Sequence, residues 1–157
     1  VTVLLVRHAH AGRREAWKGD DFLRPLSGKG QRQAKALAVE LADFVADAGR
    51  DVRILSSPYT RCRETIVPLA AALKVSVADA DSLREGGGGE AIALVSELAR
   101  GTGVVCTHGD VVVAVLEWLE EQGVDVGPRP LFPKASTWVL EARKGVYRAA
   151  HYLPPPR

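Results

Sequence analysis

Three short runs of apolar, largely β-branched residues stand apart in this chain: "VTVLLV" (1–6), "VRILSS" (52–57) and "GVVCT" (103–107). Long segments with helical periodicity separate them, and that alternation constrains the fold more than any other feature. A strand apolar on both faces needs cover on both faces. Strands alternating with helices therefore give a largely parallel sheet held between two helical layers. The predicted architecture is α/β, a three-layer α/β/α sandwich with a mostly parallel central sheet, and 157 residues suit one domain.

Ser27 is a candidate N-cap for a helix reaching about Ala48, with Ala34, Leu37, Leu41, Phe44 and Val45 on its apolar face and Gly49 as its stop. Further helices are predicted from Pro58 to about Leu73, over 90–100 and over 110–122. Additional strands are predicted at 75–78, 137–142 and 147–152.

The bulk properties narrow the function classes. Hydrophobic content of 46% and charged content of 25% describe a folded domain rather than a disordered one. No apolar stretch nears the roughly 18 residues that would span a bilayer. Cys62 and Cys106 form neither a CxxC pair nor a disulfide framework, which favours a reducing, cytoplasmic setting. The net charge of +2 makes no case for a nucleic-acid polymer as partner. Residues 1–35, however, carry eight Lys and Arg against three acids. A basic segment of this kind suits a small anionic ligand. The chain has no methionine and opens directly on a strand, so we expect a domain cut from a longer polypeptide.

Two strand ends look alike. The first strand runs into Arg7-His8-Ala9, and the strand at 103–107 runs into His108 and Gly109. Parallel strands bring such ends to one carboxyl edge, where α/β proteins bind ligands. The second strand adds "SSPYTR", with Arg61 on the first turn of its helix. Two arginines, two histidines and helix N-termini, including the Gly109 amide, would meet in one crevice suited to phosphate. Singly, each residue is more often structural or surface; the combination points to an anion, because clustered cations otherwise repel.

In these motifs the chain resembles the histidine phosphatase superfamily, the phosphoglycerate-mutase-like branch, and within it the SixA-type phosphatases. The resemblance rests on Arg7-His8-Ala9, "DFLRPLSGKGQRQA" (21–34), "SSPYTRCRET" (56–65) and "THGD" (107–110), in family order. The segment from Leu5 to Ala34 also resembles the C-terminal phosphatase domain of actinobacterial two-domain proteins with an N-terminal MutT-type Nudix hydrolase. The resemblance implies the histidine phosphatase fold, with residues 1–157 as a single domain excised from the C-terminal part of such a chain.

It also implies roles. His8 is the nucleophile and forms a phosphohistidine that water hydrolyses. Arg7 and Arg61 should keep its imidazole neutral. Arg7, Arg61 and His108 stabilise the transferring phosphoryl group, with Arg24 and the Gly109 amide as further contacts. Where the family carries Thr and Asn after the nucleophile, this chain has Ala11 and Arg14, so Arg13 or Arg14 is the substitute ligand. Glu85 is the candidate proton donor, with Glu90 second. His10 is either a support for the loop or a plain loop residue.

No cofactor or metal is needed for this chemistry. The implied substrate is a nucleoside diphosphate, including an oxidised guanine nucleotide such as 8-oxo-GDP, taken to the monophosphate. A protein phosphohistidine is the alternative, and a non-catalytic phosphate-binding module a further one. Trp17 and Phe22 are candidates to hold a nucleobase. A covalently linked Nudix domain is the expected partner, and neither nucleic acid nor membrane is.

Other chemistries fit less well. His8, His10, His108 and Asp110 would make a metal set only beside the fixed charge of Arg7. Neither cysteine is followed six residues later by arginine, and there is no Walker motif. Gly86, Gly88 and Ala91 match a dinucleotide fingerprint with no clear strand before it.

Overall fold

β1 (Thr2–Arg7) forms because Val3–Val6 are apolar without a break, and all four are fully buried. A computed structural model describes the whole chain, Val1–Arg157. Five further strands join β1: β2 (Arg53–Ser56), β3 (Val77–Asp79), β4 (Gly103–Thr107), β5 (Thr137–Arg143) and β6 (Val146–Leu153). The sheet order is β3-β2-β4-β1-β5-β6. The first four are mutually parallel. β5 and β6 are antiparallel additions. Lys144 and Gly145 both take positive φ, the two-residue turn whose twist fits a hairpin.

Four helices cover the sheet: α1 (Gly28–Val45), α2 (Thr60–Leu73), α3 (Gly88–Leu98) and α4 (Gly109–Glu121). Successive β1 side chains point to opposite layers, as strand geometry requires. Leu4 and Val6 join Leu37, Leu41, Ile66 and Leu69 of α1 and α2, whereas Val3 and Leu5 join Val95, Leu98, Val115 and Leu116 of α3 and α4. The predicted three-layer sandwich is the observed one.

The differences from expectation are local. Ser27 does cap α1, accepting the Gly30 amide at 3.1 Å. The α-helix gives way at Val45 to 3-10 turns that bend at Gly49 (φ 57). Phe44 is 42% exposed and not part of the apolar face; Leu41 and Val45, four residues apart, take the inward line instead. β3 begins two residues late because Lys74 closes α2 in the left-handed conformation and the Val75 amide still bonds to the Ala70 carbonyl.

Candidate active site

The register of β1 against β4 pairs Arg7 with Thr107, so the next residue on each strand leaves the sheet at one edge. Those residues are His8 and His108, with ring centroids 5.6 Å apart. Beside them β2 ends, and the Ser57 amide bonds to the Cys106 carbonyl at 2.9 Å. α2 then brings in Arg61, whose side chain is fully buried. The edge expected from sequence is the one the fold builds.

His8 Nδ1 lies 2.8 Å from the Ala9 carbonyl oxygen. A carbonyl only accepts, so Nδ1 carries the hydrogen and Nε2 of the neutral ring keeps a lone pair. Burial lowers the affinity of His8 for a proton; Arg61, His108 and Arg7 add to this against the Ala9 bond, and its pKa falls to about 3. The Ala9 amide donates to Thr65 Oγ1 (2.9 Å), which donates to the Arg61 carbonyl (2.6 Å). One hydroxyl thus ties the His8 loop to the helix that carries Arg61.

Two arginines and a histidine converge on one point, marked here by the Glu85 carboxylate. Arg61 Nη2 is 2.7 Å from Glu85 Oε1, Arg14 Nη2 is 2.9 Å from it, and His108 Nδ1 is 3.4 Å from it. The His108 contact is within ion-pair range but lacks hydrogen-bond geometry, and Nδ1 remains a buried atom without a hydrogen-bond partner. Arg7 Nε and Arg61 Nε are also buried and unpartnered. Such donors are costly in a fold unless an anion uses them. On its other side His108 is held by Ser57, whose Oγ is 2.8 Å from Nε2.

Arg7 lies against the start of α4. A Cβ at Gly109 would stand 2.8 Å from its guanidinium carbon, so only glycine leaves it room. Its Nη1 donates to the Phe132 carbonyl at 2.9 Å. Asp110 accepts the Gly86 amide at 2.7 Å, anchoring the loop that carries Glu85.

The structure also places the remaining candidates. Arg24, a candidate substrate contact, donates from Nη1 to the Ala11 carbonyl (2.6 Å) and from Nε to Asp21 (2.9 Å). It is buried and bonded to the loop that follows His8. Glu90 is exposed on the first turn of α3 and forms no ion pair with the arginines of the crevice. Trp17 and Phe22 do not form one surface. Trp17 donates to the Asp20 carbonyl and lines a shallow cavity of about 220 Å³ with Arg13 and Pro25, whereas Phe22 packs on Tyr59 at 4.9 Å. His10 is a support: its Nδ1 meets Ser27 Oγ at 2.6 Å, locking the loop onto the cap of α1.

Asp21 was not singled out in the sequence, yet it pairs with Arg14, Arg24 and Arg61. Burial would raise its carboxyl, but the Arg24 hydrogen bond and the neighbouring charges outweigh that and lower its pKa. Ser57, Thr65 and Asp21 all lie within the quoted motifs, so position in the motif was the available signal. A larger cavity of about 430 Å³, between α1 and α2 beside Gln31, Lys35 and Arg63, lies away from both histidines. No three His, Cys, Asp or Glu side chains are grouped to hold a metal ion, and no helix is long and apolar enough to cross a membrane.

A buried neutral histidine, a second histidine and converging arginines thus meet at the carboxyl ends of parallel strands, an arrangement suited to a phosphoryl group. Residues 3–97 match the model of the histidine phosphatase superfamily (branch 1), and the chain belongs to that family. It is 37% identical, over 99% of its length, to an 8-oxo-(d)GTP phosphatase of Mycolicibacterium smegmatis, and spans 48% of that protein's length. Among solved structures it is similar to SixA from Agrobacterium tumefaciens, with a TM-score of 0.78, 26% identity and coverage of 98% and 97% of the two chains. A protein histidine phosphatase SixA complexed with tungstate shares the fold, with a TM-score of 0.72, 18% identity and coverage of 98% and 95%.

Proposed function

We propose that this phosphatase works through a phosphohistidine at His8, without a metal, on nucleoside diphosphates that include oxidised guanine nucleotides. The observation that carries the reading is the single hydrogen bond from His8 Nδ1 to Ala9, in a ring kept neutral by burial. It leaves Nε2 as the nucleophile. The Nε2 lone pair forms the N–P bond as the terminal P–O bond breaks, and the leaving oxygen takes a proton from Glu85 when that residue is protonated. Water then attacks phosphorus and gives a proton to the Glu85 carboxylate, the N–P bond breaks with its electron pair returning to Nε2, and phosphate leaves. Arg7, Arg61 and His108 neutralise the equatorial oxygens throughout. Arg14 serves as the additional ligand at the mouth, and the Gly109 amide adds the field of the α4 N-terminus.

The choice of substrate is supported by likeness to the mycobacterial 8-oxo-(d)GTP phosphatase. That protein's length beyond the matched part leaves room for a second domain, such as the expected Nudix partner. A protein phosphohistidine is the second reading, favoured by likeness to SixA over nearly all of both chains.

The test is phosphate release from GDP, 8-oxo-GDP and a phosphohistidine peptide under excess chelator, for wild type and His8→Ala. Release from the diphosphates, lost in His8→Ala, is the expected result. Release from the peptide alone supports the second reading. Binding of phosphate without turnover marks a non-catalytic module, and activity abolished by chelator overturns the metal-free mechanism.

A further inference from the structure

The arginines of the crevice differ in what holds them. Arg14, Arg24 and Arg61 are each paired with Asp21, Glu85 or both. Arg84, next to Glu85 in the chain, is exposed and has no carboxylate and no hydrogen-bond acceptor for its guanidinium. Two aromatic rings hold it instead: its guanidinium carbon lies 5.7 Å from the Phe22 centroid and 5.6 Å from the Tyr59 centroid. A ring face orients a guanidinium without neutralising it, so the charge and the N–H donors remain available. The location is specific. The Tyr59 ring packs on His108 at 4.8 Å and carries Arg61 at 4.8 Å, so Arg84 shares one ring with two groups that hold the reacting phosphoryl.

We propose that Arg84, braced by Phe22 and Tyr59, is a second anion subsite at the mouth of the crevice, taking the phosphate adjacent to the one transferred. This rests on the diphosphate reading above and makes it specific. A diphosphate carries its second negative charge directly beyond the scissile bond, where an unpaired cation outside the first pocket meets it. A phosphohistidine leaves as a neutral imidazole and has nothing to offer Arg84. Arg84 therefore discriminates between the two substrate classes, while Tyr59 and Phe22 position it.

The test measures binding of methylenediphosphonate and methylphosphonate by calorimetry, which needs no turnover, in wild type, Arg84→Gln and Arg84→Lys. Wild type should prefer the diphosphonate. Arg84→Gln should reduce that preference about tenfold, and Arg84→Lys should keep part of it, since the charge survives and the planar fork does not. An equal preference in wild type and Arg84→Gln overturns the subsite, as does an equal loss for both ligands. If the preference depends on Arg84 but no nucleoside diphosphate is hydrolysed, the subsite stands and the substrate reading falls.

Discussion

The two flanks of the sheet are built from different chemistry. At the carboxyl ends of β1, β2 and β4 the buried polar side chains include His8, Ser57, Arg61, Thr65, Thr107 and His108. Across the sheet, the β5–β6 hairpin buries Trp138, Val139, Leu140 and Tyr147, and the polar atoms of its aromatics are matched. Trp138 Nε1 reaches the Leu131 carbonyl (2.8 Å), and Tyr147 Oη reaches the Val95 carbonyl (2.6 Å). The hairpin leaves only Thr137 Oγ1 without a partner, whereas the crevice leaves three nitrogens, on Arg7, Arg61 and His108, unpartnered. Ions and donors buried without full pairing cost stability, so the crevice holds its geometry only because the apolar flank and the two helical layers stabilise it.

The largest effect that would break this contrast is at His8. His8→Ala should remove turnover, measured as phosphate release, with the circular-dichroism spectrum unchanged. It should also change the acid response. Unfolded His8 takes a proton near its ordinary pKa of 6.5, but the folded ring resists until about 3. The stability associated with the neutral ring is present above 6.5 and is lost as pH falls toward 3. The wild-type melting temperature should therefore drop across that window more steeply than that of His8→Ala. Equal slopes would show that His8 is not a buried neutral base.

Trp138→Ala should produce the converse phenotype. A large side chain removed from a packed site costs about 3–5 kcal/mol. Urea unfolding should show that loss, while activity per folded molecule below the melting transition stays close to wild type. A loss of kcat instead would mean that the two flanks are not separable.

Arg61→Ala should lower kcat by about 10²–10³, the scale of losing one transition-state donor. Arg61→Lys should recover little, because an ammonium cannot bridge the Asp21 carbonyl and the anion as the guanidinium does. Full recovery by lysine would reduce Arg61 to a point charge. The smallest effect is expected at Phe44, where alanine should shift stability within about 0.5 kcal/mol, as for an ordinary surface site. A larger loss would restore Phe44 to the core.

Strand ends, helix caps and the order of elements were legible because each is local. "VTVLLV" can do little except cross the sheet, Ser27 caps the helix that follows it, and residues after parallel strands must gather at one edge. His8, Arg7, Arg61 and His108 were readable for that reason, and their motif spacing led to the family. Partners were not legible in the same way. Arg14 and Glu85 are 71 residues apart, and Ser57 and His108 are 51. The bond from Arg24 to the Ala11 carbonyl, 13 residues back, was equally hidden. Trp17 and Phe22, five positions apart in one loop, were sent to different surfaces by separate hydrogen-bond and stacking partners. The sequence alone determined which backbone segments exist and which chemical groups stand at their ends, because propensity and periodicity act over a few residues. Only the tertiary structure decided which of those groups are paired and which are left free to meet a substrate, because that depends on side chains brought together from distant parts of the chain.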